Sequence, residues 1–123
     1  MLVEDDPTES RLYKTLFIKE GFEVMAIENG QDCRQSALDF KPDVILLDVM
    51  MPKTNGFEVL DILKFHPETQ IYPVIMLTNL SDQHFVDEAL SHGATKFIVK
   101  SNIDNKNLIQ TVRDVIGAYA SQK

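Results

Sequence analysis

Three short, uninterrupted apolar runs constrain the fold of this chain most strongly. They are residues 44–47, 74–77 and 97–99, and a polar residue follows each of them at once. A run of three or four apolar residues is too short for a buried helix, and the lack of polar alternation is typical of a strand covered on both faces. These runs therefore predict inner strands of a parallel sheet.

Segments with helical signals separate the apolar runs. Asp6 is an N-cap candidate, and Glu9, three residues later, suits a capping box. Asp82 is a second N-cap candidate, and Gly21 and Gly93 suit helix ends. The last segment has apolar residues at helical spacing between residues 108 and 119. The predicted helices span residues 7–20, 31–40, 56–65, 83–92 and about 108–119.

Two further strands complete the pattern, at residues 2–3 and 22–27. Strand and helix then alternate five times, which indicates an α/β fold: a doubly wound, five-stranded parallel sheet with helices on both faces. The length of 123 residues suits one domain, residues 1–123. In such sheets ligands bind beyond the carboxyl ends of the strands.

Polar residues collect at that edge. Glu4 and Asp5 follow the first strand, and Asp48, Thr78 and Lys100 follow the three apolar runs. Clustered carboxylates repel one another, and a set of oxygen ligands without His or Cys favours a hard cation, Mg²⁺ before Ca²⁺. A lysine and a threonine beside that ion suit a phosphoryl group.

Each of these residues also has a structural explanation. Asp48 alone is best explained as a turn-capping aspartate before Pro52. Glu4, Asp5 and Asp6 also suit acids at a helix start, an explanation that we accept for Asp6 but not for Asp5. Lys100 alone is an ordinary solvated lysine. The joint placement favours a functional site, although no single member does.

Composition excludes several classes of function. Twelve basic residues against nineteen acidic ones give a net charge of −7, which disfavours direct binding of nucleic acid. Cys33 is the one cysteine, which fits a cytoplasmic protein without a disulfide, and we expect it to be apolar filling on a helix. No run has the length of a membrane span. Three histidines lack ligand spacing and are predicted at the surface: His66, His84 and His92.

With these motifs in place, the chain resembles the receiver domain of bacterial two-component response regulators over essentially its whole length. The matching motifs are residues 2–6, residues 48–52 with Gly56, residues 75–78 and residues 97–100. The resemblance implies a flavodoxin-like strand order, 2-1-3-4-5, as in chemotaxis receivers. It also implies a phosphorelay signalling domain rather than a turnover enzyme.

The resemblance implies a role for each residue at the strand ends. Asp48 is the expected phosphoacceptor, taking a phosphoryl group from a sensor histidine kinase or a histidine phosphotransfer protein. Asp5, Asp48 and the backbone carbonyl of Met50 are expected to bind Mg²⁺ directly, and Glu4 through a water molecule. Lys100 is expected to pair with Asp48 before transfer and with a phosphoryl oxygen afterwards.

The resemblance also implies a conformational switch. The Thr78 hydroxyl is expected to move to the phosphoryl group while Phe97 turns inward, which re-forms the surface of the fourth helix, fifth strand and fifth helix. That surface is expected to contact an output domain, an output protein or a second copy of the chain. Many relatives carry Tyr there, and Phe lacks the hydroxyl that would favour an exposed rotamer or a partner contact. A plain core aromatic is therefore a nearly equal explanation for Phe97.

Three features depart from the family pattern. Asn79 stands where relatives carry a small residue, and its amide is expected to contact the phosphoryl group or hinder attacking water. Ser101 stands where Pro is usual; since a non-proline cis bond costs about 2.5–4 kcal/mol, we predict a trans Lys100–Ser101 peptide. Only residues 1–3 precede the acidic pair, so either leading residues are absent from this sequence or the first strand is short.

Three other functions share parts of this pattern. A Mg²⁺-dependent phosphatase with an aspartyl-phosphate intermediate usually has a second acid two residues after the nucleophile, where this chain has Met50. A receiver-like binding module that never accepts phosphate usually lacks the acceptor, the acidic pair or the lysine, and all are present here. A flavin-binding protein needs a phosphate-cradling loop after the first strand, which this sequence does not have.

Overall fold

A five-stranded parallel sheet forms the centre of the protein, and the computed structural model describes residues 1–51 and 53–120. Pro52 of the 48–52 motif and residues 121–123 of the predicted domain lie outside the described residues. The strand order is β2-β1-β3-β4-β5, as the family resemblance implied. The strands are β1 (Leu2–Val3), β2 (Ala26–Ile27), β3 (Ile45–Leu47), β4 (Val74–Thr78) and β5 (Lys96–Val99).

Six helices surround the sheet within the described residues. They are α1 (Pro7–Lys19), α2 (Cys33–Phe40), α3 (Gly56–Phe65), α4 (Pro67–Gln70), α5 (Gln83–Ser91) and α6 (Asn105–Ala120), with 3₁₀ turns at Gly30–Asp32 and Lys100–Asn102. The single-turn helix α4 was not predicted from the sequence. The fourth and fifth helices of the sequence analysis are therefore α5 and α6.

Both faces of the sheet are buried, which confirms the interpretation of the apolar runs. Ile45 and Leu47 lie in a cluster with residues of α2, α3 and α5, whereas Leu46 lies in a second cluster with residues of α1 and α6. Neighbouring residues of a strand point to opposite faces, so a strand inside two apolar layers needs an apolar residue at every position.

Both predicted N-caps form, but the predicted capping box at Glu9 does not. Asp6 Oδ1 accepts hydrogen bonds from the backbone N–H groups of Thr8 (2.8 Å) and Glu9 (3.2 Å). Asp82 caps α5 in the same way through the N–H of His84. The Glu9 side chain, however, completes no capping box, because its carboxylate accepts a hydrogen bond from Lys100 instead.

The second strand is much shorter than residues 22–27. It pairs with β1 only through Leu2↔Ala26 and Val3↔Ile27, because β1 itself covers two residues. Leu12 is 63% exposed, although it lies four residues before Leu16, which packs against the cluster that contains buried Phe17. Spacing identified the helix but did not identify which of its residues face the sheet.

Cys33 is buried in α2 and has a free thiol, as predicted. Burial raises the pKa of its thiol to about 12, so the group stays protonated and packs as an apolar side chain. Within the described residues, no helix has both the length and the apolar character that crossing a membrane requires.

His84 and His92 are exposed, as predicted, whereas His66 is half-buried beside Phe65. His92 Nδ1 contacts the Asp61 carboxylate, which joins α5 to α3. We expect His92 to titrate above 6.5, because the hydrogen bond and the charge of Asp61 raise its pKa. The pair therefore stabilises the fold fully below pH 6.5 and loses that effect as pH rises through the raised pKa.

NMR titration of the histidine ring signals measures this effect. Asp61→Asn should return the pKa of His92 towards its ordinary value, while Asp87→Asn, an exposed change on α5, should leave it raised. An unchanged titration in Asp61→Asn would contradict the assigned cause.

Candidate functional site

The parallel strands bring four predicted site residues to the carboxyl edge of the sheet. Glu4 follows β1, Asp48 follows β3, Thr78 ends β4 and Lys100 follows β5. The register holds these strand ends level, because Val3 pairs with Leu47, Leu47 with Met76 and Thr78 with Val99. Residues that are up to 96 positions apart in the chain therefore share one site.

The Lys100 ammonium lies at the centre of this site. Its Nζ is 2.7 Å from Glu4 Oε1, 3.2 Å from Glu9 Oε1 and 3.5 Å from Asp48 Oδ2. The side chains of Lys100, Glu4 and Asp48 are at most 10% exposed, whereas that of Glu9 is 36% exposed. One buried cation therefore serves three carboxylates.

The charges of these groups are strongly perturbed. Burial, followed by the neighbouring Asp48 carboxylate, raises the pKa of Glu4 to about 9, although the hydrogen bond from Lys100 acts in the opposite direction. Burial lowers the pKa of Lys100, but the hydrogen bond to Glu4 and the charges of Asp48 and Glu4 outweigh it, so the net shift is upward. Lys100 is therefore a cation at neutral pH, beside carboxyl groups that are crowded and buried enough to raise the pKa of Glu4.

Close backbone packing fixes the position of Asp48. Its N–H donates to Val3 O (3.1 Å), and its Oδ1 accepts from the N–H of Met50 (3.2 Å). The N–H of Gly56, at the start of α3, donates to Val49 O (2.9 Å). A Cβ on Gly56 would lie 2.3 Å from the backbone oxygen of Asp48, so only glycine lets α3 approach this closely.

The donor set fits a hard divalent cation such as Mg²⁺. Carboxylate oxygens of Glu4, Glu9 and Asp48 lie within 4.8 Å of one another. Glu4 Oε2 is buried and has no hydrogen-bond partner among the described residues, which leaves a carboxylate oxygen able to accept from a metal-bound water. Burial first, and the neighbouring Asp48 carboxylate second, raise the pKa of Glu4, and a nearby cation would lower it again.

Asp5 is not a member of that group of three carboxylates. It is half-buried in the loop after β1 and lines a cavity of about 230 Å³ together with Glu28, Met51 and Lys53. The structure thus separates the predicted acidic pair: Glu4 contacts Lys100, and Asp5 faces a neighbouring cavity. Direct binding of a metal ion by Asp5 stays a prediction.

The remaining predicted residues surround the site at different depths. Thr78 is buried, and its hydroxyl oxygen accepts from the N–H of Leu80 (3.4 Å). Asn79 and Met50 are exposed, with Met50 at 63%. Phe97 is half-buried against the cluster that covers one face of the sheet, so the plain core explanation of this side chain remains open.

The Lys100–Ser101 peptide is trans, as predicted, since none of the described peptide bonds is cis.

The sequence did not identify Glu9 as a site residue, because its position suited a capping box. A signal was present: α1 begins four residues after β1 ends, which holds the first turn of the helix close to the carboxyl edge.

Comparison with known proteins gives matches over most of the chain. The family model described as the response regulator receiver domain matches residues 1–113. Protein PilH of Pseudomonas aeruginosa is 33% identical over 116 residues, which cover 94% of this chain and 95% of that protein. The regulatory protein AtoC of Escherichia coli is 34% identical over 89% of this chain, but the match spans only 23% of its length.

Solved structures give the same result. The signal receiver domain of a signal transduction histidine kinase from Syntrophus aciditrophicus superimposes with a TM-score of 0.84 at 32% identity, covering 95% of this chain and 88% of that chain. The chemotaxis protein CheY4 of Vibrio cholerae superimposes with a TM-score of 0.85 at 26% identity, covering 93% and 94%.

Proposed function

The chain belongs to the response regulator receiver domain family of two-component signalling, and we propose that it accepts a phosphoryl group on Asp48 in a Mg²⁺-dependent reaction. The observation that carries this proposal is the buried Asp48 carboxylate beside the Lys100 ammonium, 3.5 Å away, at the carboxyl edge of the sheet. Burial and a fixed cation suit a nucleophile that must meet an anionic phosphoryl group.

In the proposed reaction, an Asp48 carboxylate oxygen forms a bond to the phosphorus of a phosphohistidine. The phosphorus–nitrogen bond breaks, and the imidazole leaves with the electron pair and takes up a proton. A carboxylate nucleophile needs no general base, so positioning and charge neutralisation supply the catalysis. Lys100 supplies a fixed positive charge, and the Thr78 hydroxyl, at the end of β4, supplies a hydrogen-bond donor.

We assign the metal site to Asp5, Asp48 and the backbone carbonyl of Met50, with Glu4 acting through a water molecule. When bound, Mg²⁺ offsets the negative charge that gathers on the phosphoryl oxygens. The unpartnered Glu4 Oε2 and the oxygen-only donor set support this assignment. Asn79, which is exposed and directly follows Thr78, is the residue we assign to control of water access to the phosphoryl group.

The proposed output is a change at the surface formed by α5, β5 and α6. Thr78 and Phe97 connect the site to this surface, since Thr78 pairs with Val99 and Phe97 lies in β5. The proposed partners are a sensor histidine kinase or histidine phosphotransfer protein as donor, and an output domain, an output protein or a second copy as receiver of the signal. A cytoplasmic signalling domain without sustained turnover fits this role.

Incubation with acetyl phosphate and Mg²⁺, followed by intact mass spectrometry, tests the proposal. We expect one added phosphoryl group, no adduct when EDTA removes the metal, and no sustained release of phosphate from small phosphoesters. The absence of an adduct with acetyl phosphate and with phosphohistidine donors would overturn the proposal in favour of a receiver-like binding module.

A further inference from the structure

Helix α1 presents two groups to Lys100 that the proposed reaction does not use. Glu9 Oε1 lies 3.2 Å from Lys100 Nζ, and the Tyr13 ring centroid lies 5.8 Å from the same atom. Residues four apart in a helix share one face, so α1 directs a carboxylate and an aromatic face towards the same ammonium. We call Glu4, Glu9 and Tyr13 the lysine bracket.

The two carboxylates of the bracket contact Lys100 more closely than the phosphoacceptor does. Hydrogen bonds between an ammonium and a carboxylate are usually about 2.7–2.9 Å long. The contact with Glu4, at 2.7 Å, is of this kind, whereas Asp48, at 3.5 Å, has the longest of the three contacts. By distance, Asp48 is therefore the most loosely contacted of the three carboxylate partners of the lysine.

A helix-stabilising role does not account for Glu9. An acidic residue in the first turn interacts favourably with the helix dipole wherever its side chain points. The Glu9 carboxylate instead contacts a lysine 91 residues away in sequence, beside the buried Glu4. The oxygens of Glu4, Glu9 and Asp48 also surround the ammonium, so in this state Lys100 is the cation that these oxygens share.

We propose that Glu9 is a positioning residue that, with Glu4 and Tyr13, holds Lys100 off Asp48 and so restrains phosphoryl acceptance. This inference rests on the proposed function of Asp48. In transfer from acetyl phosphate, the Asp48 oxygen–phosphorus bond forms while the bond from phosphorus to the acetyl oxygen breaks, and acetate leaves with the electron pair. Lys100 must then follow the phosphoryl oxygens, which requires it to loosen its contact with Glu9.

The negative charge of Glu9 is expected to slow phosphoryl uptake by Asp48 in two ways. It attracts Lys100 away from the acceptor, and it repels the anionic donor that must approach Asp48. Solvent screens both effects, since Glu9 is 36% exposed, so a moderate change in rate is expected. The charge of Glu9 also attracts Mg²⁺, and the rate must therefore be compared at saturating metal.

The first test compares Glu9→Gln with Glu58→Gln in the whole chain. Glu58 is the matched control, because it is an exposed carboxylate in the first turn of α3. At saturating Mg²⁺, we expect Glu9→Gln to take up phosphoryl groups from acetyl phosphate about fivefold faster than the parent, and Glu58→Gln to match the parent. An unchanged or slower rate in Glu9→Gln would overturn the restraint.

The second test examines the resting protein without Mg²⁺ or donor. We expect the ¹⁵N NMR signal of Lys100 Nζ to shift in Glu9→Gln and to stay in place in Glu58→Gln, with similar thermal midpoints for both variants. A purely structural role of Glu9 would leave that signal unmoved, and this result would overturn the bracket.

The two tests also separate this inference from the proposed function. If the parent forms no phosphoryl adduct, the proposed function and the restraint both fail. A Lys100 signal that still shifts in Glu9→Gln would then support only the contact between the two side chains.

Discussion

Replacing Asp48 with Asn is expected to abolish phosphoryl uptake completely while leaving the fold at least as stable as the parent. Asn is close in size but its amide is a poor nucleophile, so no adduct should form. The substitution also removes a negative charge beside Glu4, whose pKa is raised first by burial and then by that neighbour. Relief of this repulsion should maintain or increase the free energy of unfolding.

Intact mass after incubation with Mg²⁺ and acetyl phosphate measures the first effect, and urea denaturation measures the second. Asp39→Asn is the matched control, because Asp39 is exposed on α2. We expect this variant to take up one phosphoryl group as the parent does. An adduct that persists in Asp48→Asn would show that another residue is the acceptor. An unfolded Asp48→Asn variant would contradict the proposed balance of charges.

The second large effect is expected for Gly56→Ala. The new methyl group would lie 2.3 Å from the backbone oxygen of Asp48 and 2.6 Å from Val49 Cα, so α3 must move away from the acceptor loop. Overpacking of this kind typically costs about 1–3 kcal/mol, which exceeds the roughly 0.5–1 kcal/mol that alanine gains over glycine in a helix. We therefore expect lower stability and slower phosphoryl uptake together.

Gly117→Ala provides the control for this prediction. Gly117 lies in α6, and a Cβ built there meets nothing within 4 Å, so alanine should leave stability unchanged or increase it by up to about 1 kcal/mol. Urea denaturation and the rate of phosphoryl uptake from acetyl phosphate measure both variants. A Gly56→Ala variant with the stability and rate of the parent would contradict the assigned close approach.

The sequence predicted much of the site because its main residues are defined by local patterns. Each apolar run ends at one residue, and parallel pairing places the ends of neighbouring strands together whatever their side chains are. Glu4, Asp48, Thr78 and Lys100 were therefore found from position alone. The strand order came from family resemblance, since periodicity identifies strands but does not order them.

Glu9 and Asp5 show where sequence reasoning stopped. Glu9 matched a local capping pattern, and its actual partner is 91 residues away. Asp5 follows Glu4 directly, yet only Glu4 reaches the lysine, while Asp5 faces the neighbouring cavity. Successive side chains of an extended segment point in different directions, so the sequence did not show which of the two acids contacts Lys100. Metal binding by Asp5 stays a prediction.

The sequence by itself determined the α/β alternation, most helix starts and ends, and the set of polar residues at the strand ends. These features depend on side-chain periodicity and on capping groups within a few residues of each other. Only the tertiary structure decided the two-residue length of β2, the close approach of Gly56 to Asp48 and the hydrogen bond from Lys100 to Glu9. Each of these depends on how elements distant in sequence pack together, which no local pattern contains.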